Sequence, residues 1–182
     1  MAVIGMSSKL QKSVLFFILC ANSLPFCMAD IQRTLVLVKP DAVQRELVGE
    51  IVGRFERKGL KMVGMKLTHL DAATLEEHYG HLKEKPFFPS LVQFMMQTPV
   101  VAMVLEGLDV IEAVRKVVGA TNPRVADAGT IRADLSMNVP SNIIHASDSP
   151  EAAEVEVKRF FKSEELFSYE KLTDRFHFGE GV

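Results

Sequence analysis

Residues 33 to 40 read Arg33-Thr34-Leu35-Val36-Leu37-Val38-Lys39-Pro40. The stretch from Thr34 to Val38 is β-branched or aliphatic throughout, and Pro40 closes it because proline has no N–H with which to extend a ladder. A half-exposed strand would alternate apolar with polar side chains. An unbroken apolar run instead fits a strand covered on both faces, at the centre of a sheet.

Outward from that strand, residues 43–59 (VQRELVGEIVGRFERKG) place Leu47, Val48, Ile51, Val52 and Phe55 on one helical stripe and stop at Gly59. Residues 60–70 read as a second strand. Residues 71–85 read as a helix with Asp71 as its N-cap, broken by Pro86, and residues 87–97 as a short apolar helix. Val100 to Leu105 forms a third buried strand. Asp109 then caps a helix over 110–119 whose Ile111, Val114 and Val118 face inward. Residues 120–141 lack periodicity, and a loop of that length inside a domain is commonly functional. A fourth short strand runs from Asn142 to Ala146, and a helix capped by Ser149 runs from Pro150 to about residue 162, before a polar tail. Strands alternating with helices in this order predict an α/β (α+β) sandwich: a four-stranded sheet covered by helices.

The chain has 182 residues, 48% hydrophobic and 24% charged, with a net charge of −2, which fits one globular domain and gives no general grip on nucleic acid. No run approaches the ~20 apolar residues of a membrane-spanning helix. Residues 1–29 differ from the rest: Lys9 and Lys12 precede an apolar run from Val14 to Ala21, no acid is present, and both cysteines, Cys20 and Cys27, lie there. The body is therefore free of cysteine and of any disulfide framework. The leader has the basic and apolar regions of a secretory signal with a poor cleavage site, and is not arginine-rich like a transit peptide. The favoured reading makes it an upstream extension before Met28, outside a domain of residues 30–182, with cytoplasmic residence; a working signal would make the protein secreted or organellar.

The sequence lacks a P-loop, a dinucleotide G-x-G-x-x-G fingerprint and the protein-kinase H-R-D and D-F-G motifs. His78 and His81, three apart, have no third ligand nearby and read as surface residues. His145 is better placed, near the end of the fourth strand and just ahead of the Ser149-capped helix, whose N-terminal N–H groups favour a phosphate. Ser147, Asp148 and Glu156 lie within reach of the ring. A neutral imidazole so oriented can attack a phosphoryl group, with Lys39, Arg115 and Arg132 as cations to neutralise it. Each of these, taken singly, also reads as an ordinary turn or surface residue, and spacing alone does not bring them together.

The stretches VKPDAVQRELVGEI, HYGHLKEKPFF, PVVAMVLEG, VRKVVGATNP, GTIRAD and NIIHASDS, in that order over about residues 31–170, resemble the nucleoside diphosphate kinase family. The resemblance implies a ferredoxin-like fold. It also implies ping-pong transfer of the γ-phosphate of a nucleoside triphosphate, chiefly ATP, to nucleoside diphosphates through a phosphohistidine. Mg²⁺ is implied as cofactor, held mainly through the nucleotide phosphates. By the same resemblance His145 is the phosphorylated histidine, and Lys39 and Asn142 hold the ribose, Lys39 also reaching the phosphates. Tyr79 lies near the reacting phosphate, Arg115, Thr121 and Arg132 clamp the phosphates, Phe87 stacks on the base, and Ser147 and Glu156 position the histidine. A homo-oligomer is implied, and the length of the tail favours a hexamer. Two departures stand out: Ala133 and Ala146 occupy positions where many members carry glycine, which matters only if φ there is positive.

Two other classes of function compete. One is an inactive nucleotide sensor on the same fold, which the retained site residues oppose. The other is a nucleic-acid-binding sheet, which the acidic body and the lack of an RNA-binding aromatic pattern oppose.

Overall fold

The computed structural model describes residues 31–173; the leader and the last residues of the tail lie outside the described residues. In chain order the elements are β1 (Ile31–Val38), α1 (Pro40–Gln44), α2 (Val48–Arg57), β2 (Lys61–Thr68), α3 (Ala72–His78), α4 (Phe88–Met95), β3 (Val100–Leu108), α5 (Val110–Val118), α6 (Ile131–Leu135), β4 (Ile144–Ala146) and α7 (Pro150–Phe160). The strands form one sheet in the order β2-β3-β1-β4, antiparallel at every pairing, with β1 inside it as its apolar run requires. Alternate residues of β1 feed two cores. Val36 and Val38 pack with Ala42, Ile51, Phe55, Val114 and Ile131 on one face, and Leu35 and Leu37 with Leu75, Phe88, Met95 and Phe160 on the other. The architecture is a ferredoxin-like α+β sandwich.

Several local expectations are corrected. The helix read over 43–59 is two helices, broken at Glu46, whose φ is 59°. Pro40 does more than end β1: its fixed φ and missing N–H suit a first helical turn, so α1 starts at once and the chain must turn again before α2. The helix read over 71–85 ends at His78 and is followed by a 3-10 turn, Gly80–Leu82. Asp71 and Ser149 do cap their helices, accepting from the N–H groups of Thr74 and Ala152. Asp109 occupies the cap position of α5 at φ 46° without a capping hydrogen bond.

The loop over 120–141 contains a 3-10 turn at Pro123–Val125, opened by the Asn122 side chain, and α6, opened by Thr130. Both are too short to show a hydrophobic period. The fourth strand begins at Ile144 rather than Asn142 because Ile143 has φ 59°. The tail is not idle: the Phe167 N–H donates to the Val63 carbonyl and the Tyr169 hydroxyl to that of Met62, each at 2.8 Å, partly closing the edge of β2.

Candidate active site

The turn between Asn142 and Ile144 sets the site. Ile143 is β-branched and sits in the left-handed region, a conformation that costs on the order of 1–3 kcal/mol and persists only when its surroundings enforce it. Here they do. Its N–H donates to Asp41 Oδ2 at 3.1 Å, its carbonyl accepts the Lys39 N–H at 2.9 Å, and its side chain is fully buried. The turn directs Asn142 back toward β1. Lys39 Nζ donates to Asn142 Oδ1 at 2.7 Å, and Asn142 Nδ2 donates to the Thr121 carbonyl at 2.9 Å. Three distant segments are thereby tied at one point.

His145 follows, in β4 opposite Leu37, within the strand read over Asn142 to Ala146. Its Nε2 lies 3.0 Å from Glu156 Oε2. The same oxygen accepts the Ser147 hydroxyl at 2.6 Å, and Ser147 Oγ accepts the Leu35 N–H at 3.2 Å. Burial pushes the Glu156 carboxyl up, but the His145 and Ser147 hydrogen bonds and the neighbouring imidazoles outweigh it and hold the group below its ordinary value. A carboxylate kept ionised beside Nε2 fixes the imidazole by its far nitrogen and leaves Nδ1 as the free one.

Around this histidine lies a cleft of about 670 Å³, lined by Lys39, Tyr79, Phe87, Arg115, Thr121, Arg132, Asn142 and Glu156 as well as His145. Ser147 sits behind it, fully buried. All ten sequence-derived site residues therefore gather at one place. Arg132 is buried, with its two terminal nitrogens donating to the carbonyls of Gly119 and Ile144 at 2.9 and 2.8 Å. Burial, and then the charge of Arg115, lower its pKa to about 10. Burial, with Arg132 adding to it, lowers Lys39 to about 8. Burial raises the Tyr79 phenol. Two crowded cations and a depressed lysine describe a pocket whose positive potential awaits an anion.

The phosphate-binding role expected of the final helix is corrected: the cleft wall reaches Asp148, but the first turn of α7 does not line it. Side-chain cations take that place. Among the described residues the lining offers only Asp148 and Glu156 as carboxylates, and Glu156 is already shared between two donors. That donor set makes no oxygen cage for a hard divalent ion, whose natural seat is the phosphate chain of a bound nucleotide.

The sequence reading missed four contributors. His78 is buried, not a surface residue, and stands edge-on to His145 with ring centroids 4.6 Å apart, while His81 is exposed. Leu91 and Phe94 line the mouth beside Phe87. Their spacing of four and seven from Phe87 along a helix would have found them. Asp41 lay in plain view after Lys39-Pro40, but nothing in sequence ties it to a residue a hundred positions away. Neither departure from glycine carries strain: Ala133 lies inside α6 and Ala146 inside β4, and among the described residues only Glu46, Asp109 and Ile143 are non-glycine residues with positive φ.

The comparisons with known proteins agree with this geometry. Residues 32–166 match the family model described as nucleoside diphosphate kinase. The chain is 53% identical over 153 residues to the nucleoside diphosphate kinase of Pyrococcus horikoshii, covering 82% of this chain and 98% of that one. It is 56% identical over 139 residues to the enzyme of Parabacteroides distasonis, covering 76% and 91%. Among solved structures, a halophilic nucleoside diphosphate kinase from Halobacterium salinarum in complex with CDP superposes with a TM-score of 0.80 at 44% identity, over 82% of this chain and 99% of that one. A cationic cleft around a carboxylate-held histidine, on this sheet and at these identities, leaves one assignment: the chain belongs to the nucleoside diphosphate kinase family and is a phosphotransferase acting on nucleotides.

Proposed function

We propose that the enzyme transfers the γ-phosphate of a nucleoside triphosphate, chiefly ATP, to a nucleoside diphosphate in two half-reactions through a phosphohistidine at His145. The observation that carries this reading is the shared Glu156 oxygen. With Nε2 held by Glu156, the lone pair on Nδ1 attacks the γ-phosphorus. The bond from that phosphorus to the bridging oxygen breaks, and the diphosphate leaves with the electron pair. An incoming diphosphate reverses the sequence: its terminal oxygen attacks the phosphorus, the P–N bond breaks, and the pair returns to Nδ1. The Nε2 proton stays between His145 and Glu156 throughout, so no separate acid or base is required.

The remaining roles follow from position. Arg132, Arg115, Thr121 and Lys39 neutralise and orient the phosphate chain, which supplies most of what phosphoryl transfer asks of a protein. Mg²⁺ enters as part of the nucleotide substrate, complexed to its phosphates. Lys39 and Asn142 hold the ribose hydroxyls, and the buried Tyr79 hydroxyl, without a hydrogen-bond partner among the described residues, faces the reacting phosphate. Phe87, 52% exposed at the mouth, stacks on the base, and because stacking reads no base edge the enzyme accepts many bases.

The H. salinarum relative was solved with CDP, which supports a diphosphate as occupant of this cleft. Exposed Met65 and Leu67 on the edge strand β2 support association of copies, read as a hexamer and checked by the mass in solution. Among the described residues no helix is long and apolar enough to cross a membrane. Cytoplasmic residence rests on the leader being an upstream extension, and N-terminal sequencing of the native protein tests it.

The decisive experiment is incubation with γ-labelled ATP and Mg²⁺, followed by denaturation. Bound label that is acid-labile, base-stable, chased off by GDP and missing in His145→Ala is the expected result. Absence of label in the wild-type protein, with nucleotide still binding, would overturn the mechanism in favour of a nucleotide sensor.

A further inference from the structure

His78 has no part in the chemistry just described, yet its environment is unusual. It is 5% exposed, and among the described residues neither of its ring nitrogens has a hydrogen-bond partner. A buried imidazole in that state calls for a reason. Nδ1 stands 3.7 Å from Glu156 Oε1, too far for a hydrogen bond, while the other carboxylate oxygen holds His145 Nε2 at 3.0 Å. The carboxylate therefore lies between two imidazoles whose rings meet edge-on. One nitrogen from each ring and one carboxylate oxygen lie within 4.8 Å of one another.

From this arrangement we infer that His78, Glu156 and His145 form an inhibitory site for a borderline-soft divalent cation of the zinc type. Two imidazoles and a carboxylate are the donor set such ions select, and one that Mg²⁺ and Ca²⁺ avoid. Bonds of about 2.0–2.1 Å in a tetrahedral site put the ligands roughly 3.3 Å apart. Modest side-chain rotations close the present spacing to that value, and water completes the fourth position. The surroundings select further. Arg159, ion-paired with Glu77, and His81 add positive charge around His78, so the site favours an ion held by strong bonds to nitrogen over one held by charge alone.

Binding at Nε2 takes that nitrogen's lone pair, so the single proton of the neutral His145 ring moves from Nε2 to Nδ1; no proton is released and no electrons change hands. Nδ1 stays aimed at the cleft, but carrying the proton it has no lone pair with which to attack phosphorus. Linkage then works in both directions: a phosphoryl group on Nδ1 weakens the metal, and the metal opposes phosphorylation. This consequence rests on His145 being the phosphoryl acceptor; the existence of the metal site does not.

The test uses the full chain with Cys20→Ser and Cys27→Ser, which removes the only thiols that would compete for zinc. Zn²⁺ is titrated against a chromophoric chelator without nucleotide, on free enzyme and on desalted phosphoenzyme. One equivalent per chain is expected, unaffected by millimolar Mg²⁺. The affinity should fall at least tenfold in His78→Phe, which keeps the ring and its apolar contacts, in Glu156→Gln, which keeps the carboxamide shape, and in the phosphoenzyme. No stoichiometric zinc, or affinity unchanged in a folded His78→Phe and in Glu156→Gln, overturns the site. If no phosphoenzyme forms at all, the phosphohistidine reading fails while the titration of free enzyme still decides the site.

Discussion

The floor of the cleft and its mouth are built on opposite plans. At the floor, Lys39, Asn142, Thr121, His145, Glu156, Ser147 and Leu35 form hydrogen-bonded chains of 2.6 to 3.2 Å that join β1, β4, α7 and the loop after α5. At the mouth, Phe87, Leu91 and Phe94 present apolar surface, and among the described residues the only side-chain bond that Phe87 takes part in is its carbonyl accepting the Ser90 hydroxyl. The difference matches what the proposed reaction asks of each end. Phosphoryl transfer depends on charges that are in place before the substrate arrives, because electrostatic preorganisation costs no rearrangement at the transition state. Acceptance of several bases depends on a surface that reads no base edge.

The sharpest way to break this contrast is at Arg132, which is both charge and strut. In Arg132→Ala the pocket loses a cation, and the carbonyls of Gly119 and Ile144 lose their donor. We expect kcat/KM to fall by about 10³-fold, at the upper end of what a single transition-state donor contributes, with stability lower by about 1–3 kcal/mol from the unpaired carbonyls. Arg132→Lys should restore charge but not the fork, and so recover only part of each. Steady-state kinetics and denaturant melts of the two variants separate the roles. A loss below tenfold in Arg132→Ala would show that the floor is not organised around it.

Lys39 gives the contrast a pH dependence in which activity and stability move oppositely. Its pKa, lowered by burial to about 8, lies below the 10.5 of an unfolded lysine. Between these values the unfolded state holds the proton that the folded state has lost, so this group's contribution makes the fold more stable as pH rises from 8 and less stable as pH falls back through 8. Under the role proposed for Lys39, the charge that holds the phosphates is lost over the same interval. For free enzyme, log kcat/KM should therefore decline above pH 8 by about one unit per pH unit, while the melting temperature does not drop with it up to about pH 9.5. Lys39→Arg should move the alkaline limb upward. An unshifted limb in that variant would assign it to another group.

At the mouth the effect should be smaller and of another kind. Phe87→Ala removes a stacking face worth about 1 kcal/mol at so exposed a position. KM for purine and pyrimidine diphosphates should rise together by about fivefold, with kcat changed less than twofold. A loss confined to one base would mean that the mouth reads sequence after all.

Most of the fold, and the residues that gather around the candidate site, were legible in the chain, for identifiable reasons. The run Thr34 to Val38 suits an inner strand, and the stripes ending at Gly59 and Gly119 suit amphipathic helices, the first of them interrupted at Glu46. The resemblance named His145 and its companions because the family's motifs are dense around them. What stayed hidden was pairwise and long-range. Asp41 supports the strained Ile143 from 102 residues away, and neither residue type announces the bond. His78 looked like a surface partner of His81 because helical spacing shows which residues share a face, not which elements cover that face. The helices α1 and α6, five residues each, are fixed by Pro40 and Thr130 at their starts rather than by any hydrophobic period.

The smallest effect should come from the two alanines that depart from the family's glycines, and it tests whether sequence departure or backbone geometry decides. Ala133 has helical φ in α6, where its N–H takes part in the Thr130 cap at 3.3 Å, and Ala146 has strand geometry opposite Val36. A methyl group at such positions excludes nothing the native backbone needs, and it restricts the unfolded chain. Ala133→Gly should thus lower stability by about 0.5–1 kcal/mol, as glycine does within a helix. Ala146→Gly should lower it by a similar or smaller amount, and kcat/KM should stay within twofold in both. A rise of tenfold or more in kcat/KM on reverting either residue would mean that the methyl obstructs the site during turnover. It would also place the floor's decisive constraint in the backbone beside His145, outside the hydrogen-bonded chains that hold the ring.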